Sequence, residues 1–333
     1  MNEVIMKLSA TPLLLGLTIL TSPLLAVAAE SLTFSGSIAA ERESDSSVSL
    51  DQIDDVSRES DYANQLKLKV GGKWQASDNV QFATSYQGRQ RTYDQFSEYD
   101  LEQHQLVLSS KFTYAGIGYS YRYDGAVVAV DGEDFLDFSQ STLAIDKLFD
   151  ASFFLRAAIS QNKKDFIQLD ERSATGTIVG VDSLVFFNSG KSHLSFNISM
   201  ENETAEASLF DNKTANVGMA YQHKFTAASW PATFTSSVRY GRKRYDSFVI
   251  DSIAVEEAEQ EQEGLFPLNS DSDEATNEDT RVDGRIEWTT RLDIELNDWL
   301  GLTTKASYIE NDSNYAPVDF NENLFSVGII ASF

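Results

Sequence analysis

Arg281, Arg285 and Arg291 alternate along "RVDGRIEWTTRLDIEL" with Asp283, Glu287, Asp293 and Glu295 in the same parity. Val282, Ile286, Trp288, Leu292, Ile294 and Leu296 take the opposite parity. Read as an extended chain, this stretch carries fixed charge of both signs on one face and apolar groups on the other. Such a face does electrostatic chemistry: it sets the ion concentration beside it, or it zips itself into ion pairs. Arg89, Arg91, Arg122, Arg156, Arg239 and Lys243 fall on the corresponding face of other alternating stretches.

Covalent chemistry has fewer candidates. There is no Cys, so a disulfide framework, a thiolate metal site and a Cys nucleophile are excluded. Of the three histidines, His193 falls at a turn and His223 shares a parity with Tyr221 and Phe225. His104, in "DLEQHQLVL", stands at a strand end beside Asp100 and Glu102, and its parity with Leu106 leaves its facing open. No serine motif accompanies it, so a rim histidine outweighs a general base, and the chain reads as a non-enzyme. Acidic stretches are abundant, but no EF-hand loop or regular aspartate repeat directs a metal, and no cofactor motif is present.

The elements that must hold these charges share one periodicity. "LKLKVGGKW" sets Leu66, Leu68, Val70 and Trp74 against Lys67, Lys69 and Lys73. "YAGIGYSYRY" sets Ile117, Tyr119, Tyr121 and Tyr123 against Gly118, Ser120 and Arg122. Strands are predicted at 32–42, 62–76, 80–92, 100–110, 112–123, 135–147, 151–161, 174–187, 192–202, 214–225, 232–245, 281–296, 299–310 and 323–333. Their lengths exceed the roughly five or six residues of soluble strands and match the roughly nine to eleven of a tilted membrane strand. Tight links at 77–79, 148–150, 188–191 and 297–298 alternate with longer polar stretches at 43–61, 124–134, 162–173, 203–213, 246–280 and 311–322. A soluble sandwich also alternates, with its apolar face inward. The strand length and the short-long alternation of links favour an all-β, closed antiparallel transmembrane barrel of about 14 strands, with short periplasmic turns and long acidic extracellular loops.

The chain has 333 residues and a formal net charge of -25, which argues against nucleic acid as a partner. From Asp246 to Asp279 there are twelve acidic residues and no Lys or Arg, so 246–280 reads as a solvated extracellular loop. Residues 1–29 have Lys7, an apolar stretch from Leu13 to Leu25 broken by Pro23, and then Ala26, Ala28 and Ala29. This reads as a secretory signal peptide, with 30–333 forming the barrel domain, rather than as a membrane anchor.

The C-terminal strand, "NLFSVGIIASF", puts Phe325, Val327, Ile329, Ala331 and Phe333 on one face up to the last residue. A closed barrel must pair its last strand with its first, because unpaired backbone groups in lipid cost several kcal/mol. "SVGIIASF", with Gly328, Ala331 and the terminal Phe333, resembles the C-terminal targeting signal of bacterial outer-membrane barrel proteins. The resemblance implies residence in the bacterial outer membrane and the barrel-assembly machinery as a partner during biogenesis, with membrane lipid and lipopolysaccharide as surroundings. The stretch from Arg291 to Phe333 is similar in layout to the last strands of the barrel domain of surface lipoprotein assembly modifiers, with an "NDSN" loop before the closing strand.

Two functions follow. The first is a porin-like channel for small solutes, its lumen lined by Arg89, Arg91, Arg122, Arg156, Arg239, Lys243, Arg281, Arg285 and Arg291. The alternative is a barrel that assembles or translocates surface proteins without the helical-repeat domain of those modifiers. Inward acids such as Asp283, Glu287, Asp293 and Glu201 leave open whether the lumen is a water-filled pore or a charge network that fills it. The sequence sets neither the solute nor the oligomeric state.

Overall fold

The computed structural model describes residues 32–50, 53–250 and 280–333. The signal segment and most of the acidic stretch at 246–280 lie outside the described residues. In chain order the strands are β1 (Leu32–Asp45), the short β2 (Val48–Leu50) and β3 (Asp55–Ser57), β4 (Asp61–Ser77), β5 (Val80–Tyr93), β6 (Leu101–Tyr114) and β7 (Ile117–Val130). They continue as β8 (Glu133–Phe149), β9 (Phe153–Phe166), β10 (Ala174–Phe187), β11 (Ser192–Ala205) and β12 (Asn212–Ala227). The last four are β13 (Trp230–Val249), β14 (Thr280–Glu295), β15 (Leu300–Ser313) and β16 (Phe320–Ser332). Apart from β2 and β3, which pair with each other, all of these strands form one closed barrel of fourteen, and β16 returns to β1.

Every pairing is antiparallel, and all but the closing β1–β16 pair join barrel strands that follow one another in the chain. The strand expected at 174–187 has those bounds, whereas the one expected at 112–123 lies at Ile117–Val130 and its turn at Ala115 and Gly116. The polar stretch expected at 124–134 is mostly strand. β7 and β8 are joined there by Asp131 and Gly132, both with φ near +50 to +76°, the backbone of a two-residue hairpin turn. "AVVAV" at 126–130 is apolar on both faces, so the period-two signal vanishes just where the strand continues.

The register fixes the two faces. Phe34, Leu66, Tyr121, Leu143, Ile159, Ile198 and Trp288 share the outer face and are exposed, Phe34 by 73%. The inner face carries charge: Glu41, Glu43, Asp45, Asp124, Asp146, Glu203 and Arg281 are buried there. This inverts the arrangement of a soluble protein, where so continuous an apolar exterior marks a surface meant to be covered. Outer-face rings crowd the short-turn end, with Trp74 stacked on Phe82 at 5.5 Å between centroids and Phe149 beside Phe153 at 5.8 Å.

The seam between β1 and β16 depends on two glycines. The Phe333 N–H donates to the Gly36 carbonyl and the Gly36 N–H donates to the Phe333 carbonyl, both at 3.0 Å, so pairing runs to the last residue. The Phe333 ring lies over Gly36, where a Cβ would sit 2.3 Å from its Cζ. Gly328 faces Glu41 across the seam, and a Cβ there would be 2.5 Å from the Ala40 carbonyl oxygen.

Candidate functional site

Arg89, Arg91, Arg122, Arg156, Arg239, Lys243, Arg281, Arg285 and Arg291 lie on the face opposite the exposed apolar side chains. Their partners divide them. Arg91 pairs with Glu43 at 2.5 Å and with Asp45 at 2.8 Å, while Arg122 pairs with Asp124 at 2.6 Å and Arg291 with Asp293 at 2.8 Å. Lys67–Glu41 at 2.7 Å, Lys111–Asp146 at 2.8 Å and Lys164–Glu203 at 2.5 Å add to the charged lining. No carboxylate comes within ion-pair distance of Arg156, Arg239 or Lys243 among the described residues. The lumen is therefore neither fully zipped nor uniformly basic. Space remains on both walls, with a cavity of about 420 Å³ beside Arg122 and Arg156 and one of about 290 Å³ beside Arg239 and Lys243.

On β13 and β14 the register sets Arg239 opposite Glu287, Lys243 opposite Asp283, and Arg285 opposite Gly241. The cations of the two strands are thus staggered among acids rather than stacked in a single basic row.

Residues 46–50 and 53–60 form a strap. β2 and β3 pair from Val48 with Ser57 to Leu50 with Asp55, and Val48 and Leu50 bury against Ala63, Tyr93 and Tyr99 at the long-loop end. Tyr99 also donates its hydroxyl to Asp55 at 2.8 Å. From that base the strap reaches over the lumen. Asp54 takes Arg281 Nη2 at 2.7 Å and Nη1 at 3.0 Å, and Arg172, from the link between β9 and β10, at 2.9 Å. Because β1 and the β9–β10 link stand on opposite sides of the ring of strands, these contacts carry the strap across the mouth. Arg58 secures its return by donating to the carbonyls of Ala316 and Asp319 at 3.0 and 3.1 Å.

Arg281 is the far anchor and is 1% exposed. Asp283 binds it a second time, with Nη2 at 2.8 Å, and the rings of Tyr245, Phe248 and Tyr315 surround it with centroids 4.5 to 5.2 Å from its Cζ. A guanidinium held this way has its charge balanced and its planar faces covered.

Burial pushes the Asp54 carboxyl up, but hydrogen bonds from Arg281 and the charges of Arg281 and Arg172 outweigh burial and hold it below the usual carboxylate range. A group with a lowered folded value stabilises fully above its unfolded value, about 3.9, and loses that contribution only as pH falls through the lower one. The latch should therefore stay closed from pH 5 to 8. Single-channel recordings over that window should show no strap-release step, and a step in it that Asp54→Asn abolished would contradict this.

The histidines separate cleanly. His104 is on the outer face, stacked on Tyr86, with Nδ1 2.6 Å from the Tyr86 hydroxyl and Nε2 2.9 Å from Glu102. His223 also faces outward, between Tyr221 and Phe225, and its Nδ1 lies 2.8 Å from Ser192 Oγ. A serine-histidine contact has the distance of a nucleophile and base, but Ser192 is 0% exposed and no carboxylate orients His223 among the described residues. His193 stands near the start of β11 beside Phe186. Among the described residues no cluster of His, Asp and Glu has metal-binding geometry.

Sequence reasoning missed Asp54, Arg172 and the strap. "SSVSLDQIDDVSRES" reads as one more polar loop, and the only signals of burial are Val48, Leu50, Ile53 and Val56 in an otherwise polar run. It also missed Lys111, assigned to a turn, which pairs with Asp146 on the inner face.

No family model and no curated protein matches the chain. Among solved structures it is similar to an anion-selective porin from Comamonas acidovorans, at 9% identity over 91% of this chain and 99% of that one, with a TM-score of 0.48. Pseudomonas putida OprB in a high-pH structure aligns at 10% identity over 92% of this chain and 95% of the other, with a TM-score of 0.49. CdiB from Acinetobacter baumannii aligns at 8% identity over 89% of this chain and 60% of the other, with a TM-score of 0.46. At such identity no residue of theirs is carried onto this chain.

Proposed function

We propose that this chain is an outer-membrane, porin-like channel for small solutes and not an enzyme, with a charged lumen narrowed at its mouth by the strap. The observation that carries this reading is the inversion of faces on a closed barrel: apolar outside, charged inside, with space left on both walls. An apolar exterior with every strand paired suits lipid, where no backbone group can remain unsatisfied. Fourteen strands enclose more than side chains fill, which favours a water path. In this reading the short turns are periplasmic and the strap is extracellular. The first 29 residues are a cleaved signal, and lipopolysaccharide and the barrel-assembly machinery are the partners of the outer and assembling forms.

The test is conductance in a planar bilayer. Arg122→Gln with Arg156→Gln leaves Asp124 and Asp182 on that wall and should shift the ion selectivity towards cations, since fixed lumen charge sets local ion concentration. Bilayers that stay silent with folded protein, together with loss of a specific surface protein in cells lacking the gene, would replace the channel by the assembly barrel.

A further inference from the structure

We infer that the recess around Gly241, beneath the strap, is a discrete binding site for a small organic carboxylate. The inference rests on the channel reading for its biological use, but not for the binding itself. Arg239, Gly241 and Lys243 succeed one another on the inner face of β13, and Arg285 of β14 stands opposite Gly241. Gly241 places no side chain of its own between the three cations. Asn216 crosses it from β12, so that a Cβ on Gly241 would lie 2.7 Å from the Asn216 Oδ1.

The balance of charge favours an anion there. Asp283, opposite Lys243, is engaged by Arg281 through Nε and Nη2 and accepts a further hydrogen bond from Ser313 at 2.6 Å. Asp54 is engaged by Arg281 and Arg172. Lys243 has its ammonium 4.7 Å from the Tyr245 centroid, and neither it nor Arg239 has an ion-pair partner among the described residues. Besides Asp54 and Asp283, Glu287 is the one lining carboxylate among the described residues. Guanidinium and ammonium groups set around a glycine suit a carboxylate, which accepts from both.

The rest of the cavity, about 290 Å³ in all, selects the class of anion. Val56 of the strap, Val318 and Phe320 give it an apolar side. A bare inorganic anion would leave that side wet, whereas a short carboxylate covers it with carbon.

Calorimetry on the detergent-folded full-length barrel tests this with hexanoate, hexanamide and inorganic phosphate as probes. Hexanoate should bind with a Kd of about a millimolar, and hexanamide about tenfold or more weakly because its head carries no charge. Arg239→Gln with Lys243→Gln should weaken hexanoate about tenfold or more. Arg242→Gln with Arg244→Gln removes the same charge from the outer face and should leave binding unchanged. Gly241→Leu, which fills the recess at constant charge, should also abolish binding and serves if the double variant folds poorly. Equal weakening by the inner and outer pairs, or phosphate binding as well as hexanoate, would show general attraction and overturn the site, as would no heat from hexanoate. A silent bilayer beside intact hexanoate binding would instead remove the channel and keep the site.

Discussion

Asp54→Ala is expected to raise single-channel conductance about twofold and to add current noise, because it releases the strap at its far end only. The near end stays on Val48, Leu50, Tyr93 and Tyr99, so the segment should swing about its base rather than unfold with the barrel. Arg281 does not become an orphan in this variant, since Asp283 and the rings of Tyr245, Phe248 and Tyr315 still hold it. The expected loss is that of charge-assisted hydrogen bonds, about 1.5–3 kcal/mol, and it falls on the strap. Arg281→Ala should be more damaging: it leaves Asp283 without its cation and Asp54 with Arg172 alone, and removing one partner of a buried pair costs about 3–5 kcal/mol. The order is the informative part. Asp54→Ala should keep the melting transition of the barrel and change the current, whereas Arg281→Ala should change both. Unaltered conductance and noise in a folded Asp54→Ala barrel would mean that the strap does not narrow the path.

The barrel was legible because period-two alternation is a local property and the inversion of its faces follows from the neighbours of each strand. "RVDGRIEWTTRLDIEL" assigns Arg281 and Arg285 to the inner face without any tertiary knowledge, and the register places them there. Legibility failed where a local pattern is absent or where the partner is distant in sequence. "AVVAV" hides strand β7 because both of its faces are apolar, and the Asp131–Gly132 turn is only visible once the strand is continued to it. Asp54 lies 227 residues from Arg281 and 118 from Arg172, so nothing nearby in the chain distinguishes it from the neighbouring acid Asp55. The same limit applies to the recess: alternation puts Arg239 and Lys243 on one face, but only the pairing register shows that Gly241 meets Arg285 between them.

Gly328→Val is expected to reduce folded barrel in the membrane severely, and Phe333→Asp to reduce it as well, for different reasons at one seam. At Gly328 the obstacle is backbone. A Cβ would lie 2.5 Å from the Ala40 carbonyl oxygen and 3.0 Å from Glu41 Cα, neither of which belongs to a side chain able to turn aside. The larger valine must push β16 away from β1 where Glu41 pairs with Gly328, opening the ladder that closes the ring. An opened ladder exposes a row of backbone donors and acceptors, each costing several kcal/mol where water is absent. Phe333 sits at the end of the same ladder, 80% exposed, with its ring across Gly36. Aspartate keeps the backbone pair but replaces an interfacial ring by a charge and removes the cover over Gly36, so its loss should be milder and should concern assembly rather than closure. Gly36→Ala separates the two effects: its methyl group would displace the Phe333 ring while leaving Gly328 and the ladder intact, and should reproduce the milder loss. Heat-modifiability of the membrane fraction measures all three, and Gly328→Val protein folding at wild-type levels would mean that the seam tolerates separation and that closure is set elsewhere.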